Sequence, residues 1–133
     1  MGYILLISLK DTPRLREWIF TKVARYSAQI GIPEPYVIFN WKDMERGGFE
    51  PNTYDKRLIS HKAGNAWIYK NQEKPNILSI NIKHHDDKEE LENTIAHELL
   101  HIRFPIMNHG EDFYTRLGMV LMGKKYGKVK PKK

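Results

Sequence analysis

Three runs in the second half of the chain decide its reading: ILSINIK over residues 77–83, ELENTIAHELLH over 90–101 and NHGEDF over 108–113. The middle run ends in HELLH, residues 97–101. On a helix advancing about 100° per residue, His97 and His101 project from one face a turn apart, so both imidazoles can reach one ion. Leu91, Ile95, Leu99 and Ile102 fall on an adjacent arc that anchors such a helix in a core. Glu98 projects between the two arcs, where it is suited to take a proton from a metal-bound water and not to ligate the ion. An Asx cap at Asp86 or Asp87, followed by Lys88-Glu89-Glu90, marks the helix start. Arg103 lies near its end, because Pro105 cannot continue the backbone bonding.

A catalytic zinc takes three protein ligands and keeps a fourth position for water, so two histidines require a partner. Residues 113–133 contain no His, Asp or Glu, which leaves His109, Glu111 and Asp112 downstream of the helix. His109 is the expected ligand, since the break at Pro105 lets the chain turn back and seven intervening residues give ample reach. Glu111 is the alternative, with His109 then capping the next helix. His84 and His85 lie roughly 18 Å along the axis from His97, and are expected to be solvated residues at the helix entry.

Outward from this centre, the strand Ile77 to Lys83 places Leu78, Ile80 and Ile82 on a core face, and Ser79, Asn81 and Lys83 on a face toward solvent or ligand. Asn65 to Lys70 reads as its hairpin partner, joined through Gln72, Lys74 and Pro75. Tyr36 to Trp41 is a further strand. The turn-rich stretch after it holds Gly47-Gly48 and Pro51-Asn52, and is long enough that Tyr54 to Ser60 is assigned a strand of its own. Asp11-Thr12-Pro13 starts an N-terminal helix with Leu15, Ile19, Val23, Tyr26 and Ile30 at helical spacing, closed by Gly31 and Pro33. Tyr3 to Leu9 suits a buried strand or an extended lead-in. Asn108 and Glu111-Asp112 start a last helix with Phe113, Leu117, Val120 and Leu121 as its buried stripe.

Composition narrows the chemistry. The chain has 133 residues and no cysteine, which removes disulfides, thiol catalysis and Cys-based metal sites. No apolar run approaches the roughly 20 residues that span a bilayer, and Tyr3–Leu9 lacks the flanks of a signal peptide, so a cytoplasmic, intracellular protein is expected. Residues 1–112 carry 15 Lys and Arg against 16 Asp and Glu, whereas residues 113–133 carry 7 against none. The expected organisation is one domain over 1–123 followed by a flexible basic tail over 124–133. The tail is either a solvated terminus or a weak, sequence-independent contact to nucleic acid.

The three runs together resemble the SprT-like zinc metallopeptidases, which include the Spartan and WLM-type proteases and share a strand, an H-E-x-x-H helix and a later H-G-x-x-F segment. Ala63-Gly64 is similar to the family's segment before its edge strand. The resemblance implies an α+β zincin-like domain: an N-terminal helix, a small twisted sheet of three or four strands, the metal helix packed on it and a C-terminal helix. It further implies Zn2+ held by His97, His101 and His109, with Glu98 as general base in hydrolysis of a protein or peptide substrate. By the same analogy, joined to the polar face of Ser79 and Asn81, the strand Ile77 to Lys83 is expected to be the cleft's rim, pairing with extended substrate. Phe104 stands where a metzincin has glycine and excludes that pattern. A gluzincin-like scheme keeps the chemistry with Glu111 as third ligand. A non-catalytic alternative is a nucleic-acid-binding or structural protein in which zinc only stabilises the fold.

Overall fold

The computed structural model of the chain describes residues 8–48, 59, 62–68, 75–105 and 107–123. Helix α1 (Pro13–Ile30) begins where the Thr12 hydroxyl accepts from the Leu15 N–H at 3.1 Å, and proline at the first helical position loses no hydrogen bond. It ends at Gly31, whose φ of 83° is the left-handed conformation that glycine adopts without strain. The expected stripe of Leu15, Ile19, Val23, Tyr26 and Ile30 is buried. At about 1.5–3 kcal/mol per buried large apolar side chain, that stripe makes α1 part of the core and not an appendage.

After α1 come strand β1 (Tyr36–Ile38), helix α2 (Trp41–Arg46), strand β2 (Gly64–Trp67), strand β3 (Ile77–Ile80), a 3-10 turn over Ile82–His84, helix α3 (Lys88–Arg103) and helix α4 (Glu111–Leu121). The fold is α+β, with a three-stranded mixed sheet in the order β1-β3-β2. β1 runs parallel to β3, with Tyr36 opposite Ile77, and β2 runs antiparallel to it, with Gly64 opposite Ile80 and Trp67 opposite Ile77. Helices α1 and α4 pack on α3, which itself lies against β2 and β3. The Glu92 carboxylate of α3 ties the two long helices together, accepting from the Tyr26 hydroxyl and pairing with Lys22 Nζ at 2.8 Å. Among the described residues, no helix is long and apolar enough to cross a membrane.

The strand expected at the rim is the central one. β3 is paired on both sides and all four of its residues are buried, Ser79 included, so the expected substrate-pairing edge at Ile77 to Lys83 is overturned. The sheet is covered on both faces. Leu78 and Ile80 join the main core with α1, α3 and α4, while Ile77 packs with Ile38, Met44 and Ile59, flanked by Tyr36, Trp41 and Trp67. Met44 belongs to α2, a helix inside the stretch read as turn-rich. Its start explains why the strand from Tyr36 stops at Ile38. The Asn40 side chain accepts from the Asp43 N–H at 3.0 Å, and the Asp43 carboxylate accepts from the Phe39 N–H at 2.8 Å.

β3 likewise ends early, at Ile80, because the chain from Ile82 winds into the 3-10 turn. The hairpin partner occupies Gly64–Trp67, starting one residue before the segment expected over Asn65–Lys70. Tyr3–Leu9 up to residue 7, Tyr54–Ser60 apart from Ile59, and the basic tail over 124–133 lie outside the described residues.

Candidate metal centre

Helix α3 is built from its cap. The Asp87 carboxylate accepts from the Glu90 N–H at 2.9 Å, and the Glu90 carboxylate accepts from the Asp86 N–H at 2.9 Å. Leu91, Ile95, Ala96, Leu99, Leu100 and Ile102 are buried on its inner side. That burial fixes the helix's rotation and leaves His97 and His101 half-buried at its edge. Their Nε2 atoms stand 3.0 Å apart and their ring centroids 4.7 Å apart.

Beyond Arg103 the chain breaks at Phe104-Pro105 and reverses through a tight turn, in which the Gly110 N–H donates to the Asn108 carbonyl at 2.7 Å. This reversal carries His109 back, its Nε2 2.7 Å from that of His101 and its ring 4.9 Å from that of His97. The donor atoms of the three histidines all lie within 4.8 Å of one another, close enough to hold one metal ion. Tetrahedral ligands at the usual zinc–nitrogen distance stand about 3.3 Å apart, so the observed spacing fits such an ion. Glu111 and Asp112 are outside the group; with Met107, Asn108 and Gly110 they line a separate hollow.

Phe113, expected only as core, forms the floor of the triad. It is fully buried, with its ring 4.9 Å from both His97 and His101 and 5.1 Å from His109, stacked on His101. Burial lowers the pKa of His97 to about 4, helped by repulsion from His101 and His109. Burial, with His109, lowers that of His101 also. Both rings are therefore held in the neutral form that ligates metal. Burial pushes Glu98 the other way, up to about 7, against the pull of the Lys62 ammonium. A carboxyl tuned to that range can take and return a proton near neutral pH.

Beside Glu98 a groove of about 400 Å³ is lined by Lys62, Ala63, Gly64, Asn93, Thr94 and His97. Among the described residues β2 pairs only with β3, so an outer strand runs along this groove. Ala63-Gly64 is legible in the sequence, whereas the places of Lys62 and Thr94 in the groove and of Phe113 as the triad's floor emerge only from the fold. Phe113 carried one signal, its position four residues beyond His109; Lys62 and Thr94 carried none.

His84 is exposed, as expected, but His85 is not: only 2 % of it is accessible. Its Nδ1 lies 2.9 Å from the Asn81 carbonyl and its Nε2 2.8 Å from Thr94 Oγ1. The 3-10 turn swings it inward under the start of α3, a displacement that a count of residues along a straight helix axis cannot register. Comparison of the chain with protein-family models, with curated proteins and with solved structures finds no match.

Proposed function

We propose that the protein is a zinc-dependent metallopeptidase of SprT-like type, hydrolysing peptide bonds in protein or peptide substrates. The observation that carries this reading is the convergence of three imidazole nitrogens on one point, with Glu98, half-buried on the same helix, lining the groove beside His97. His97, His101 and His109 would hold the ion. Bound there, zinc would supply Lewis acidity, lowering the pKa of a water and polarising the scissile carbonyl. Glu98 takes the proton of the attacking water and returns it to the departing amine. Among the described residues it is β2, and not β3, whose outer edge takes no strand partner, and along it an extended segment would pair.

The test is cleavage of a labelled unfolded protein by the zinc-loaded chain. Glu98→Gln is expected to retain one zinc and to lose activity by about 10²–10⁴-fold, the usual worth of a general base. Undiminished cleavage in Glu98→Gln would overturn the role of the glutamate. A wild-type chain that holds zinc and cleaves nothing would leave the zinc-stabilised, non-catalytic protein instead.

A further inference from the structure

One turn before Glu98, helix α3 is joined to the sheet by a closed circuit of contacts that the hydrolytic chemistry does not use. The Asn81 N–H donates to the Ala63 carbonyl at 2.9 Å, tying the end of β3 to the approach of β2. The Asn81 carbonyl faces His85 Nδ1 at 2.9 Å, and His85 Nε2 faces Thr94 Oγ1 at 2.8 Å. A carbonyl only accepts, so Nδ1 carries the proton. Burial keeps the ring neutral, which leaves Nε2 bare and makes the Thr94 hydroxyl the donor.

That assignment fixes Thr94 in one rotamer. Its methyl then lies against Gly64, where a Cβ would meet Thr94 Cγ2 at 2.7 Å, Glu98 Cγ at 3.1 Å and the Ser79 carbonyl at 3.4 Å. The outer strand is pressed onto α3 between Thr94 and Glu98, and only glycine fits. An apolar side chain in place of His85 would fill the same space but would leave Thr94 free to rotate. The polar bond therefore specifies a geometry that packing alone would not.

We propose that His85 and Thr94 are positioning residues which, through Gly64, set the spacing between β2 and Glu98 and so hold the glutamate and the substrate-pairing edge in mutual register. The inference rests on the reading of Glu98 as general base. Its leverage comes from geometry, because a misplacement of about 1 Å between reacting groups is enough to cost about 10²-fold in rate.

Two substitutions separate the two arms of Thr94. Thr94→Val keeps a methyl against Gly64 and removes the donor to His85; Thr94→Ser keeps the donor and removes the methyl. On zinc-loaded full chain with labelled unfolded casein, Thr94→Val is expected to keep one zinc and an unchanged KM while kcat falls about tenfold or more. Gly64→Ala is expected to lose kcat similarly, and adding Thr94→Ser in the same chain to restore part of it by removing the atom at 2.7 Å.

Nitrogen NMR of His85 should show Nδ1 protonated and Nε2 bare. A merely structural role would lower Tm and leave kcat unmoved at temperatures where the variants stay folded. Unchanged kcat in Thr94→Val, no rescue of Gly64→Ala by Thr94→Ser, or the opposite tautomer would each overturn the inference while wild-type activity stands. Absence of cleavage by the zinc-loaded wild type would instead bring down the proposed function and the positioning role with it.

Discussion

The two halves of α3 use histidine in opposite ways. Against the N-terminal half, His85 has a complementary partner at each ring nitrogen, the Asn81 carbonyl accepting at one and the Thr94 hydroxyl donating at the other. At the C-terminal half, His97, His101 and His109 turn nitrogen toward nitrogen, with Nε2 separations of 3.0 and 2.7 Å along the row. Burial does not distinguish the two, for the most buried of these histidines is the one that holds the fold. Complementarity does. A carbonyl and a hydroxyl satisfy an imidazole completely, whereas three imidazoles presenting like atoms to one point are satisfied together by a cation.

The sharpest way to break this contrast is to remove the middle member of the triad. His101→Ala is expected to drop zinc from one per chain to a trace and cleavage to background, while the zinc-free variant keeps the wild-type helical signal. Retained stoichiometric zinc, read by elemental analysis of the dialysed protein, would show that the convergence of rings is not a ligand set. The same measurement sharpens the third position: zinc lost in His109→Ala and kept in Glu111→Ala is the outcome the geometry supports, and the reverse pattern would transfer the ligand to Glu111.

The legibility of these two regions in the sequence differs for the same physical reason that their chemistry does. His97 and His101 are related by helical periodicity, and the stripe from Leu91 to Ile102, the Asp87 cap and the stop at Pro105 are all local signals. The same holds for α1, whose cap, stripe and terminal glycine were all readable. His109 needed one further step, a chain reversal after the helix, and elimination of downstream donors made it findable. His85 depends on Thr94, nine residues away on another element, and on a 3-10 turn that no periodicity announces. β3 was misplaced for a related reason. Alternation of Leu78 and Ile80 with Ser79 says which residues share a face, but not that Met44 and Ile59, from distant segments, cover the other one.

A smaller effect on metal binding is expected at His85. His85→Ala takes from the Thr94 hydroxyl the ring nitrogen it donates to, while the Asn81 carbonyl keeps the His84 N–H at 3.1 Å, a change that costs about 1–3 kcal/mol and lowers Tm by roughly 4–12 °C. Zinc stoichiometry should stay at one per chain, since none of the triad's nitrogens touches that bond. If His85→Ala instead lost zinc as fully as His101→Ala, the two regions would be one cooperative site and the contrast between them would fail.

The smallest expected effect is on the pH dependence of stability in zinc-free protein, and its sign follows from the shifts. His85, His97 and His101 have pKa values lowered on folding, so below about 6.5 the unfolded chain binds more protons than the native one. These groups therefore favour unfolding progressively as pH falls from 7, and for His97 the loss continues until about 4. Glu98 acts in the opposite sense: raised to about 7, it holds a proton in the native state that the unfolded state releases near 4.5, and so stabilises the fold on the acid side of 7. Three histidines against one glutamate give a net loss of stability between pH 7 and 5, measured as Tm in a chelator. Glu98→Gln should steepen that slope by removing the opposing group, and His85→Gln should flatten it. A slope that Glu98→Gln leaves unchanged would mean that the glutamate titrates as an ordinary carboxyl, solvated and not enclosed beside the triad.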